Sequence, residues 1–274
     1  MSKTKKAVII GSVLVGIGVI IGFIGIAIGG FKFPNGAVDL TTMKALHAEK
    51  KTVQIADVFD KIEIAGASSM DIEICKSKTG KNYVEYYDTD DWTSRVDVKD
   101  RVLKFTTDDK GKHKAIVSLG FGKDTAARLY LADAEYKEIS VTTLSGYVTI
   151  QDVNAETVNV SASSGDLYMK NINVPDSIMA TSSSGDIDLE NATAKQIELG
   201  ANSGDIEMQD ITAESLRMST SSGDIDLESC DAEKFDITTS SGDVDMEITA
   251  GRTYRFETKT NSGAVDVPDG DADS

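Results

Sequence analysis

Along the second half of the chain, apolar and polar residues alternate in short runs, and the runs return at a fixed interval. The clearest is Ser183-Ser184-Gly185-Asp186-Ile187-Asp188-Leu189-Glu190. Glycines of the same Ser-Gly step stand at Gly146, Gly165, Gly185, Gly204, Gly223, Gly242 and Gly263, spaced by 19, 20, 19, 19, 19 and 21 residues. Two places after each glycine comes an apolar column of Val148, Leu167, Ile187, Ile206, Ile225 and Val244. Four places after comes Ile150, Met169, Leu189, Met208, Leu227 and Met246. Seven and nine places after, small or aliphatic residues recur, as in Val153/Ala155 and Ile211/Ala213. A third arm follows at about twelve and fourteen, with Val158/Val160, Ile178/Ala180, Ile197/Leu199, Leu216/Met218, Phe235/Ile237 and Tyr254/Phe256. A spacing of two within the arms predicts strands with one face turned inward. A constant period predicts a solenoid, because one coil of this length buries its apolar face only by stacking on the next.

The expected fold class is therefore all-β: a right-handed parallel β-helix (solenoid) of roughly 19-residue coils. Parallel crossovers are overwhelmingly right-handed, which sets the expected hand. Each coil should hold two main strands and a short middle segment, stacked at ~4.8 Å. The Ser-Gly step predicts a turn in which glycine takes a left-handed backbone conformation. Ser or Asn two places earlier (Ser163, Ser183, Asn202, Ser221, Ser240, Asn261) should bond the turn and its neighbours.

Before Ser140 the period is lost, although Ser68-Ser69-Met70-Asp71-Ile72-Glu73-Ile74 reads as an early coil with Met70 in the glycine position. Strand-like runs persist at Tyr83–Tyr87, Arg95–Val98, Val102–Thr106, Ala115–Leu119 and Ala127–Leu131. Such a region is expected to cap one end of the stack, since a bare solenoid end exposes backbone groups and apolar side chains. Trp92, Tyr83, Tyr86 and Tyr87 fall here, either as cap packing or as a carbohydrate or partner surface.

Ala7 to Phe31 runs for 25 residues without a charge behind Lys3, Lys5 and Lys6. At ~1.5 Å per residue a helix of that length crosses a ~30 Å hydrocarbon layer. A single transmembrane helix is expected, with a cleaved signal peptide ending near Ala27-Ile28-Gly29 as the competing reading. The lysines place the N-terminus in the cytoplasm and the remainder outside. Gly18/Gly22 and Gly25/Gly29 permit close helix packing. The expected organisation is a cytoplasmic tail (1–6), the span (7–31), a juxtamembrane linker (32–56), an irregular β cap with early coils (57–140), the regular solenoid (141–267) and an acidic tail (268–274).

The net charge of -17 changes this picture through its placement. From Ser140 to Ala250 there are 21 acidic residues against four basic ones, so the coils carry all of the excess. That surface repels phosphate backbones, which argues against nucleic acid as a partner. Outward positions one, three and five after the glycine gather twelve carboxylates on one face, chiefly Asp186, Asp188, Glu190, Asp205, Glu207, Asp224, Asp226, Glu228, Asp243, Asp245 and Glu247. They form either a solvated face that resists association, or an interaction face for a basic partner or weakly held divalent cations. The Gly-Gly-x-Gly-x-Asp pattern of tight calcium sites is absent.

No catalytic set is evident: the motif serines have no histidine near them in sequence, and His47 and His113 stand alone. No cofactor is expected. Cys75 and Cys230 lie 155 residues apart without metal-ligand spacing, and are read as thiols rather than a disulfide. Coils this short and uniform also lack the groove that a polysaccharide-acting β-helix enzyme needs.

Three pieces together, Phe59-Asp60-Lys61-Ile62-Glu63-Ile64, Arg128-Leu129-Tyr130-Leu131 and the iterated Ser-Gly-Asp-Ile step, resemble a bacterial β-strand-repeat family of unknown function. That family is often labelled "putative adhesin" and includes the LiaG-like envelope proteins. The resemblance covers about residues 57–267, and departs at Ala132-Asp133, where the family commonly has proline. It implies a right-handed β-helix, often membrane-anchored and linked to envelope stress, and no catalytic residues. The expected function is a non-enzymatic interaction or sensing surface in the cell envelope, with an envelope protein or cell-wall component as partner. An adhesin or polysaccharide-binding module is the alternative.

Overall fold

The computed structural model describes residues 49–88, 92–109, 126–248 and 255–267. The apolar stretch 7–31, His47, His113, the run Ala115–Leu119 and the acidic tail lie outside the described residues. No helix among the described residues is long and apolar enough to cross a membrane.

Among the described residues seventeen strands form one hydrogen-bonded sheet that winds on itself. The irregular part supplies β1 (Glu49–Gln54), β2 (Lys61–Ser69), β3 (Ile72–Lys76), β4 (Tyr83–Asp88), β5 (Trp92–Lys99), β6 (Val102–Asp109) and β7 (Ala127–Leu131). The regular part follows with β8 (Glu135–Ser145), β9 (Val148–Gln151), β10 (Asn154–Ser164), β11 (Leu167–Ser182), β12 (Ile187–Ala201), β13 (Ile206–Thr220) and β14 (Ile225–Thr239). The last rungs are β15 (Val244–Ile248), β16 (Arg255–Lys259) and β17 (Val265–Asp266).

Pairing is in step with the glycine spacing: Ile187, Ile206, Ile225, Val244 and Val265 are successive parallel partners, as are Ile197, Leu216 and Phe235 on the third arm. The apolar columns are the core, with Ile187, Leu199, Ile211, Leu216, Ile225 and Phe235 all fully buried. The middle segment belongs to the ladder as well. Each of β12, β13 and β14 is one bent strand of 15 residues rather than two strands joined by a break. The one extra residue of the 20-residue coil is absorbed by a register shift between Val174 and Ser177. Cys230 sits fully buried in the middle column, where burial pushes its thiol up to about 12, and both cysteines are free.

The irregular part holds two more rungs, β2 with β3 and β6 with β7, which continue both ladders in parallel. Beyond them β4, β1 and β5 pair antiparallel and close the end. Strand β1 falls within the stretch read as linker. Asp88, nearly buried, ties this closure together by accepting from Lys51 Nζ (2.5 Å) and the Ser94 amide (2.8 Å). Tyr86 is buried edge-on against Phe105, and Tyr83 stacks on Tyr130 with ring centroids 4.4 Å apart.

Two turn expectations are corrected. Positive φ in the glycine column occurs only at its ends, at Gly146 (121°) and Gly263 (158°); the five glycines between are not left-handed. What excludes a side chain there is space. A Cβ on Gly165, Gly185, Gly204, Gly223 or Gly242 would lie 2.5–2.9 Å from the carbonyl carbon of the glycine one rung earlier. The left-handed corner is instead six places later, at Asp152, Asn171, Asn191, Asp210 and Ser229, with φ of 51–56°. Asn and Asp tolerate this region better than other residues with a side chain. Asn171 and Asn191 also bond one another's corners, Asn171 Nδ2 to Asp152 Oδ1 at 2.9 Å and Asn191 Nδ2 to Asn171 Oδ1 at 2.7 Å.

The second correction concerns the residue that bonds the turn. Side-chain hydroxyls reach the previous coil from three places before the glycine, not two. Ser182, Thr220 and Thr239 donate to the carbonyls of Gly165, Gly204 and Gly223 at 3.1, 3.1 and 3.3 Å.

Candidate interaction face

The first arms of successive coils lie side by side, so every second residue points outward and forms a column running along the stack. Position three after the glycine gives Thr149, Tyr168, Asp188, Glu207, Asp226 and Asp245 in continuous register. Position five gives Gln151, Lys170, Glu190, Gln209, Glu228 and Glu247.

Position one behaves differently. The Oδ1 atoms of Asp166, Asp186, Asp205, Asp224 and Asp243 each accept from the amide one rung on, at 2.7–3.0 Å, the donors being the N–H groups of Asp186, Asp205, Asp224, Asp243 and Ala264. Asp71 does the same for Tyr147 at 2.9 Å. Asp186, Asp205, Asp224 and Asp243 are thus outward and exposed, as read, and through Oδ1 each also clamps its coil to the next. A sequence signal for this existed: position one is aspartate in five consecutive coils, while positions three and five mix Asp, Glu, Gln, Tyr and Lys. Only the shorter carboxylate reaches the next amide.

The remaining carboxylates divide along the stack. Glu190 is held by Lys170 Nζ (2.5 Å) and Tyr168 Oη (2.9 Å), and these bonds keep its carboxyl below the usual range. Towards the capped end, Glu73 takes a two-pronged bond from Arg128 at 2.8 and 3.0 Å, and Glu85 pairs with Lys50 at 3.0 Å. Towards the other end, no described cation pairs with Asp188, Glu207, Asp226, Glu228, Asp245 or Glu247. Partial burial, and then neighbouring carboxylates, push Asp188 and Asp226 upward; Glu207 is the first such neighbour for Asp188 and Asp245 for Asp226. Tyr168 and Lys170, which end the uncompensated patch, gave no signal as single residues, because their partner Glu190 lies one coil away.

This arrangement suits a broad, weakly directional contact with positive charge. Among the described residues no three His, Cys, Asp or Glu side chains form a group able to hold a metal ion. Side chains on parallel rungs stand side by side and do not converge. The third-arm face is chemically different, with an Arg217–Asp236 pair (3.0 Å) beside hydroxyls and the half-exposed Met179. A polar cleft of about 560 Å³ opens where β3 leaves the coil path, lined by Lys76, Ser77, Lys78, Asp133, Asp152, Asn154 and Asn171. Its Lys76 is paired with Asp133 at 2.8 Å.

Solved structures are similar to this chain. One from Bacteroides fragilis, named a "putative adhesin", superposes with a TM-score of 0.51 at 19% identity, covering 80% of this chain and 95% of that one. A similarly named protein from Parabacteroides distasonis gives 0.45 at 15% identity, covering 80% and 97%. A "putative lipid binding protein" from the same species gives 0.39 at 18% identity, covering 80% and 93%. No curated protein matches the chain. The family described as Toastrack DUF4097 matches residues 59–274, which takes in the cap, the early coils and the whole stack; the chain belongs to that family.

Proposed function

We propose that this protein is a non-enzymatic, membrane-anchored and extracytoplasmic right-handed β-solenoid. Its acidic strand face is an interaction or sensing surface in the cell envelope, within an envelope stress response. The observation that carries this reading is the patch Asp188, Glu207, Asp226, Glu228, Asp245 and Glu247, which lies in register on consecutive rungs with no described cation paired to its side chains. Like charges at rung spacing oppose the stack by up to about 1 kcal/mol per exposed pair, and a positively charged partner outside the chain would relieve that repulsion. The uncharged stretch 7–31 behind three lysines supports the anchor and its orientation.

The test is site-specific photocrosslinking of the full chain in intact cells, with the probe at Asp226 and, as control, at Glu198 on the third-arm face. The expected result is a defined product from position 226 that disappears on Asp245→Lys with Glu228→Lys. Equal labelling from both faces, or a product indifferent to charge reversal, overturns the reading.

The alternative is a cell-wall or polysaccharide-binding module, favoured by the Tyr83–Tyr130 stack and by the adhesin names of proteins sharing the fold. Retention of the chain on purified cell wall, lost on Tyr130→Ala, would replace the first reading with this one.

A further inference from the structure

We propose that the C-terminal end of the solenoid is a strand-docking edge that takes an extended partner segment of alternating apolar and basic residues. The inference concerns the end of the stack, where the acidic face runs out at Asp245 and Asp266, and it rests on backbone bonds rather than on that face's proposed role. It begins with one row of hydrogen bonds. The amides of Leu167, Ile187, Ile206, Ile225 and Val244 each donate to the carbonyl at position one of the next rung, at 2.9–3.0 Å. Val265 is the next residue in that row. In parallel pairing a residue's own amide and carbonyl point to the same side, so the Val265 N–H is directed away from β15, where no described residue accepts it.

The side chain tells the same story. Ile187, Ile206, Ile225 and Val244 in this column are at most 1% exposed, whereas Val265 is 40% exposed. Beside it, Asp266 continues the column of Asp226 and Asp245 on the outer face. A donor that no described residue accepts, an apolar floor and a carboxylate border thus occur together on one edge of the described ladder.

The two ends of the stack are not equivalent. At the other end the ladders are closed by β1 and β5, which run antiparallel, and β1 carries Lys50 and Lys51 along its length. Lysines on an edge strand deter further pairing. At the C-terminal end β17 carries no Lys or Arg, so the unguarded part of that edge is β17 and not β16, which bears Arg255 and Lys259. The clamp row also stops here, because position one of the last rung is Ala264 and offers no carboxylate to a following amide. The edge therefore suits a single extended segment rather than another coil of the same kind. Such a segment would add in parallel, accept from Val265 N–H, lay an apolar residue over Val265 and Val267, and direct Lys or Arg towards Asp266 and Asp245. This is strand addition, in which backbone bonds give affinity and alternate side chains give selectivity.

The test uses the full chain in detergent and a fluorescent probe peptide in which Val and Lys alternate. A second peptide of equal charge has its central valines replaced by proline. By anisotropy the alternating peptide should bind and the proline peptide bind at least about tenfold more weakly, the scale of one lost hydrogen bond. Val265→Pro should cost about tenfold for the same reason, with thermal melting to show that the variant is folded. Asp226→Asn with Glu228→Gln should change binding less than about twofold, since those groups lie roughly a screening length away from the edge. In parallel, hydrogen exchange at the Val265 amide should slow when the alternating peptide is added. Equal binding of the two peptides, no effect of Val265→Pro, an unprotected Val265 amide or the absence of binding would each overturn the proposal.

Discussion

Replacing Gly223 by alanine tests the physical reason for the repeat. Its added Cβ would stand 2.6 Å from the carbonyl carbon of Gly204 and 3.0 Å from Asp205 Oδ1, and its nearest neighbour, the Gly204 carbonyl oxygen, would be closer still. That neighbour is backbone, so no rotamer change relieves the overlap, and the two rungs must separate locally. Three of the bonds that cross this junction lie nearest the overlap: Ile206 N–H to Asp224 O (3.0 Å), Asp224 N–H to Asp205 Oδ1 (2.8 Å) and Thr220 Oγ1 to Gly204 O (3.1 Å). At about 1 kcal/mol each, their loss destabilises the chain by about 3 kcal/mol, before any strain in the core is added. Gly200→Ala is the control, since its Cβ would meet only Ser219 Oγ and Thr181 Cγ2, both at 3.6 Å. That change should be neutral or stabilise by up to about 1 kcal/mol. Denaturant unfolding followed by far-UV circular dichroism reads both. The reasoning also separates space from backbone conformation: Gly223→Asn should be no milder than Gly223→Ala. If asparagine rescued alanine's loss, or if Gly223→Ala cost under about 1 kcal/mol, the steric account would be wrong.

At the left-handed corner, Asp210 has φ of 55°; Asp210→Val should cost about 1–2 kcal/mol and Asp210→Gly close to nothing in the same unfolding assay. Asp226 has its folded pKa raised by burial and by Asp245, Asp224, Glu207 and Asp205. A raised acid binds its proton more tightly when folded, so its favourable contribution is fully present below the unfolded pKa and is lost as pH rises through the folded one. Asp226→Asn should therefore melt higher than wild type at neutral pH, with the difference closing in the carboxylate range. Glu190 is lowered by Lys170 and Tyr168, so Glu190→Gln should do the reverse, melting lower at neutral pH and converging as acid is added. Thiol titration should find Cys75 reactive in the native protein and Cys230 only after denaturation, with the same total before and after reduction.

Much of the fold was legible because a solenoid converts period into contact. A residue's neighbour in space is its equivalent 19 positions away, so alignment on glycine alone paired Ile187 with Ile206 and Leu216 with Phe235. The two turn errors came from treating each coil by itself. Glycine in a polar turn ordinarily signals positive φ; here the demand comes from the glycine of the previous coil, and the positive φ is carried by Asn, Asp and Ser at the second corner. The candidate face was legible as composition and not as role. Positions one, three and five looked like up to three equivalent carboxylates per coil facing solvent, and only the bond from Asp224 N–H to Asp205 Oδ1 and its equivalents shows the one at position one to be a clamp.

By itself the sequence determined that the chain is a stack of strands with one apolar side, where each coil begins, and which surface is acid. Those properties follow from local alternation and from a repeat that any rung-on-rung packing must honour. The tertiary structure decided which carboxylates are free, why the glycines are required, and how the two ends differ. Each of these depends on the distance between backbones that are a full coil apart, a quantity that no single coil contains.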